Sequence, residues 1–220
     1  MLWVNAMING PEVPPISGNA PKQLCIILHG YGADGFNLID LARIIGQEFP
    51  DMQFIAPNAP HPFEMGDEGH QWFSLYERSD ESYYQGVLSA EKHLNEFLDY
   101  QLKRFNLAEE NLIVMGFSQG CMTAVHTMLR REKACALVVG FSGRMLGSMD
   151  QIKSSLKSKP TICLIHGKED EVVMFEYFNE AKSKLKDCGV ECNHLAVDRL
   201  GHSIDYQGLK FAVKHIRQAI

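Results

Sequence analysis

The chain alternates short apolar runs with stretches whose apolar residues recur at helical spacing, and that order restricts the fold more than any other feature. The runs are "QLCIILHG", "MQFIAPNAP", "NLIVMG", "ACALVVG", "TICLIHG" and "CNHLAV". All but the last, which holds Asn193 and His194, have an unbroken apolar centre, as expected of a strand covered on both faces. Helical patterns lie between them. "NLIDLARIIGQEF" places Leu38, Leu41, Ile44 and Ile45 on one face. A longer helix is expected from about Tyr84 to Phe105, with Val87, Leu88, Leu94, Phe97, Leu98 and Leu102 inward. "GCMTAVHTMLRR", "MFEYFNEAKSKLKDCG" and a segment from about Asp205 to Ile220 complete the set. This predicts an α/β fold, with a mostly parallel central sheet, helices on both faces and right-handed crossovers. A length of 220 residues suits one domain, 1–220. One stretch breaks the pattern. Asn58 to about Ser82 is polar and holds Pro60, Pro62, Gly66, Gly69 and Trp72. Loops of that length in a compact domain are usually functional or disordered.

Composition narrows the partners. A net charge of −6 without a lysine or arginine cluster argues against nucleic acid. No apolar run reaches membrane-spanning length, so stable membrane insertion is not expected. "MLWVNAMING" lacks a basic start and a long apolar core, so it does not read as a secretory signal. The six cysteines are scattered through apolar segments, which suggests reduced thiols and a cytoplasmic protein. Cys188, Cys192 and His194 are close in sequence, but they straddle a helix end and a strand. No second ligand pair has metal-site spacing, so no metal is expected.

In a parallel sheet, ligands gather beyond the carboxyl ends of the strands. Four strand ends carry chemistry: "LHGYGADG", "MGFSQG", "IHGKEDEVV" and "VDRLGHSID". In "GFSQG" a glycine stands two residues before and two after Ser118. A sharp strand-to-helix turn needs small residues there and lifts the central side chain clear of the sheet. A serine hydroxyl needs a base. His202 alone among nine histidines both follows the serine and occupies a terminal strand-to-helix loop. His29 and His166 read as residues that brace turns. Asp170, four residues past "TICLIH", is favoured as the acid over Glu169, Glu171, Asp187 and Asp198. An oxyanion hole needs backbone N–H groups. Gln119, next after the serine, supplies one, and the glycine-containing loop "HGYGADG" a second.

Taken together, "LHGYGADG", "GFSQGCM", "FSGRM", "HGKEDEVV" and "GHSI" resemble the carboxylesterase/acyl-protein thioesterase family of α/β-hydrolases, also called the phospholipase/carboxylesterase family. The likeness runs from about Leu24 to the end, and residues 1–21 carry none of it. It implies an α/β-hydrolase fold with Ser118, Asp170 and His202 as catalytic triad. It also implies Tyr31 as the second oxyanion donor beside Gln119, and "QWFSL", with Trp72 and Phe73, as a segment on the substrate side. Tyr31 replaces a leucine common in the eukaryotic thioesterases, and Glu171 stands where proline often follows the acid. Family members are often homodimers and need neither metal nor organic cofactor. Phe63, Met65, Trp72, Phe73 and Met145 are the candidates for contact with an ester or lipid-acyl substrate. With no large insertion to form a lid, a shallow site for short or medium acyl chains is expected. The alternatives are a dienelactone-hydrolase-like enzyme, for which cysteine would be expected at Ser118, and a non-catalytic binding protein.

Overall fold

The computed structural model describes residues 8–220; most of the stretch read as lacking a secretory signal lies outside them. The chain forms, in order, β1 (Glu12–Val13), β2 (Gln23–Leu28), α1 (Phe36–Ile39), α2 (Leu41–Ile45), β3 (Met52–Ile55), β4 (His61–Pro62), β5 (His70–Gln71) and α3 (Asp80–Phe105). It continues with β6 (Leu112–Phe117), α4 (Gln119–Arg130), β7 (Leu137–Phe141), α5 (Met149–Ser155), β8 (Ile162–Gly167), α6 (Glu176–Asp187), β9 (Cys192–Val197) and α7 (Tyr206–Ala219). Seven strands form one sheet in the order β1-β3-β2-β6-β7-β8-β9, parallel except for β1, which runs antiparallel to β3.

The central apolar runs became strands because they can bury both faces, while β9, at the sheet edge, buries only Val197 fully. On β2, Leu24, Ile26 and Leu28 face a core closed by α3, α4 and α6, through residues such as Leu94, Phe97, Val125 and Leu185. Cys25 and Ile27 face the other way, toward Ile45 of α2 and Leu209, Ala212 and Ile216 of α7. No helix among the described residues is long and apolar enough to cross a membrane. All six cysteines are unpaired, and all but Cys192 are buried.

Three local differences from the sequence pattern have physical causes. The segment expected to be one helix is two short ones that meet at Asp40. Its buried face is Ile39, Ala42 and Ile45, while Ile44 is 53% exposed. α3 begins four residues before Tyr84, where the Ser79 hydroxyl caps it by accepting from the Ser82 N–H. α5 starts at a capping box, Ser148 with Gln151, that the apolar pattern does not reveal.

Register decides which residues share the rim. Leu28, Gly116, Gly140 and Leu164 lie side by side across β2, β6, β7 and β8. Whatever follows them therefore emerges on one edge: His29–Tyr31, Phe117–Gln119, Ser142–Arg144 and His166–Asp170. The chain places β3 on one side of β2 and β6 on the other. The crevice between the carboxyl ends of β2 and β6 is thus the topological switch point where ligands of such sheets bind.

Candidate active site

The turn from β6 into α4 is as tight as its two glycines require. Ser118 sits between them at φ 53°, ψ −118°, a conformation that L-residues rarely adopt. A Cβ on Gly116 would lie 2.4 Å from the Gly120 carbonyl carbon, and one on Gly120 2.2 Å from the Leu28 carbonyl oxygen. The Ser118 N–H donates to the Phe141 carbonyl at 2.9 Å, which ties the turn to β7. Its hydroxyl caps nothing in α4. Gln119 begins that helix, so its N–H has no intrahelical acceptor, and the helix dipole favours negative charge there. No partner for the Tyr31 N–H is found among the described residues.

Asp170 and His202 meet beyond β8 and β9. His202 Nδ1 lies 2.8 Å from Asp170 Oδ2. The other carboxylate oxygen accepts the N–H groups of Val172 and Val173 at 3.0 and 2.9 Å. Asp170 is 3% exposed. Burial works against its charge, but hydrogen bonds from His202, Val173 and Val172 outweigh that and hold its pKa below the usual range. Beneath it, His166 Nε2 donates to the Val173 carbonyl at 2.7 Å and lies 3.3 Å from Asp170 Oδ2. Burial lowers the His166 pKa and keeps the ring neutral. His166 therefore braces the acid loop as well as the strand end.

Ser118, Gln119, Gly30, Tyr31 and His202 line one cavity of about 830 Å³. A second, of about 540 Å³, shares Phe117 and His202 with it and opens between Ile44 and Tyr206.

The expected substrate residues divide. Met65 lines the larger cavity and is 70% exposed. Phe63 sits behind it, edge-on to the Tyr31 ring at 4.9 Å and against Gly32. Trp72 and Phe73 are core residues, 0% and 2% exposed. Their backbone, not their rings, meets the site: the Trp72 N–H donates to Gln119 Oε1 at 2.8 Å, and Gln119 Nε2 donates to the Phe73 carbonyl at 2.7 Å. Met145 lies apart, in a small cavity with Tyr84, His126 and Ile152. The chain leaving β7 turns at Ser142, φ 49°, and carries Arg144 rather than Met145 to the catalytic side.

The pattern reading also passed over Glu64. Its carboxylate accepts from the Tyr31 and Ser74 hydroxyls and the Leu75 N–H, and so closes the long polar stretch onto the first rim loop. Burial raises its pKa, but those bonds prevail and hold it at about 2. A carboxylate shortly after a proline-rich strand end was the only signal in the sequence.

His29 anchors the same stretch from inside. Its Nδ1–H donates to the Gly30 carbonyl at 2.7 Å and its Nε2 accepts from the Ala59 N–H at 2.9 Å, which requires a neutral ring. The Trp72 indole N–H donates to the His29 carbonyl at 3.0 Å. Burial lowers the His29 pKa to about 4. In the unfolded chain it titrates near 6.5. Between those values the unfolded chain takes up a proton that the folded ring refuses, so stability is lost as pH falls from about 6.5 to about 4. The linked loss is about 3 kcal/mol. Urea midpoints measured across this range should fall less steeply for His29→Gln than for the unaltered protein, from a lower start at pH 7. Equal slopes would remove His29 as the source.

Comparison with known proteins shows the family and the fold. Residues 13–220 match the phospholipase/carboxylesterase family. The chain is 25% identical over 214 residues to esterase YpfH of Escherichia coli (strain K12), covering 97% of this chain and 88% of that protein. It is 27% identical over 230 residues to acyl-protein thioesterase 1 of Aspergillus fumigatus, covering 96% and 94%. The crystal structure of esterase PE8 superposes with a TM-score of 0.93 at 34% identity, covering 98% of this chain and 100% of that one.

Proposed function

Because the chain belongs to the phospholipase/carboxylesterase family and is an esterase or thioesterase with the α/β-hydrolase fold, we propose that it acts by two-step acyl transfer through Ser118, His202 and Asp170. His202 accepts the Ser118 proton as Oγ attacks the ester or thioester carbonyl carbon. The N–H groups of Gln119 and Tyr31 hold the oxyanion. The carbon–oxygen or carbon–sulfur bond breaks, and the alcohol or thiol leaves with the proton from His202. Water then attacks the acyl-enzyme with His202 as base, and the acid is released as Ser118 regains its proton. Asp170 fixes the His202 tautomer and stabilises the imidazolium.

The observation that carries this reading is the 2.8 Å contact between Asp170 and His202 on the rim where Ser118 stands at its strained turn. Around the cavity, Met65, Val172 and Met174 are exposed, and among the described residues no large insertion covers them. That supports short or medium acyl chains lying against Met65, Leu75, Met122 and Val173. A single catalytic domain, a homodimer and a cytoplasmic location belong to the same reading. The unpaired cysteines support a reducing compartment.

The chemistry is tested by a fluorophosphonate, which phosphonylates only an activated serine. Mass spectrometry should find the adduct on Ser118 and should not find it in His202→Ala. An unlabelled Ser118 in the unaltered protein would favour a binding module over an enzyme.

A further inference from the structure

Two arginines line the catalytic cavity, and the acyl-transfer chemistry uses neither. Arg144 comes from "FSGRM", at the strand end beside Ser118, and Arg78 from the segment before α3. The Arg144 guanidinium lies over the Tyr177 ring at 4.2 Å and near that of Tyr83 at 5.9 Å. Its side chain is only 14% exposed, and its Nε is buried without a hydrogen-bond partner. Its carboxylate partner, Asp80, binds it through one oxygen at 2.6 Å and is itself 83% exposed. Arg78 has no carboxylate within ion-pair distance among the described residues. Two cations thus face a single carboxylate on the cavity wall of a chain whose net charge is −6. A guanidinium is held this dry only where packing or a ligand compensates for lost water. Stacking on Tyr177 provides part of that and leaves the fork's donors under-used.

The two cavities offer separate places for the two halves of the substrate. In the proposed reaction the leaving group takes its proton from His202. His202 lines both cavities; the second, between Ile44 and Tyr206, is lined by neither Ser118 nor Gln119, and no arginine stands there. The arginines line only the cavity that also holds Ser118 and Gln119.

We propose that Arg144 and Arg78 form a carboxylate-recognising subsite in the acyl half of the cavity, so that the enzyme favours half-esters or half-thioesters of dicarboxylic acids. This rests on the acyl-transfer reading above. A planar fork on an aromatic platform matches a carboxylate bidentately. Arg78, exposed to solvent, adds charge at the mouth.

The test compares three esters with one chromophore and a six-carbon acyl chain: mono-4-nitrophenyl adipate, its neutral methyl diester, and 4-nitrophenyl hexanoate. The unaltered protein should show kcat/KM at least about tenfold higher for the half-ester than for the methyl diester, mostly through KM, and this ratio should shrink as salt is added. Arg78→Gln and Arg144→Met should each lower kcat/KM for the half-ester several-fold more than for the neutral esters. Arg144→Lys should recover the ratio only in part, because ammonium lacks the fork. A ratio at or below one in the unaltered protein overturns the proposal. So does an unchanged ratio in both Arg78→Gln and Arg144→Met, which would leave Arg144 a strut between α3 and α6. Arg78 lies on the exposed segment, so its variant remains informative even if the Arg144 variants fail to fold. Absence of turnover on all three esters would instead defeat the hydrolase reading itself.

Discussion

Ser118→Ala is expected to lower kcat on 4-nitrophenyl butyrate by roughly ten-thousandfold to a millionfold, with KM changed by no more than about threefold. Removing a nucleophile leaves the oxyanion donors and substrate-binding surfaces in place, so residual catalysis above that of water should remain. The fold should survive, since the Ser118 hydroxyl caps nothing in α4 and the alanine keeps the same backbone. Turnover near that of the unaltered protein would exclude Ser118 as the nucleophile. Ser118→Gly adds a second readout. At φ 53° a side chain is strained, and glycine is not. That variant should be as inactive as the alanine one yet more stable, by about 1 kcal/mol in urea unfolding. An inactive protein more stable than its parent would locate the strain at the reacting residue.

Gly120→Ala should do the reverse and break the scaffold. The new methyl group would be 2.2 Å from the Leu28 carbonyl oxygen and 2.6 Å from that of His29. Both are backbone atoms of a central strand and its end, so neither a rotamer nor a loop can yield. α4 must lift away from β2, and the Val125 and Met128 packing beneath it lifts too. We expect a loss of about 3 kcal/mol or more, with activity falling in step. Gly201→Ala is the control. Its Cβ would meet nothing closer than the Glu169 carbonyl at 3.7 Å, and its unfolding free energy should stay within about 0.5 kcal/mol. If chemical denaturation cannot distinguish the two variants, the close approach at Gly120 is not what restricts that position.

The core strands were readable because parallel strands buried on both faces need unbroken apolar runs, and such runs have few other uses. The placing of Ser118, Asp170 and His202 near one rim was readable because each stands within about five residues of a strand end. β1 was not. Its two residues form a strand only because β3 offers an open edge, which no local pattern records. Ile44 was assigned inward because helical spacing gives a stripe but not its rotation, and two short helices meeting at Asp40 shift the face. Trp72 and Phe73 are large and apolar near a rim, and the core claims such residues as readily as a substrate does. Met145 and Arg144 are adjacent, and which of them faces the catalytic side depends on the left-handed turn at Ser142. The positive φ of Ser142 has no signature in composition or spacing.

Gln119 makes two commitments at once. Its main chain opens α4 beside Ser118, and its side-chain amide pairs with the backbone of Trp72 and Phe73, up to 47 residues earlier in the chain. The Trp72 indole in turn holds the carbonyl of His29, one residue before the Gly30–Tyr31 turn. The two N–H groups proposed to receive the oxyanion therefore belong to one closed circuit of bonds, not to separate loops. Water around a developing negative charge must first turn its dipoles, and that reorientation is part of the barrier in solution. In the proposed reaction the dipoles are already turned when the chain folds, and the circuit keeps them so between one substrate and the next.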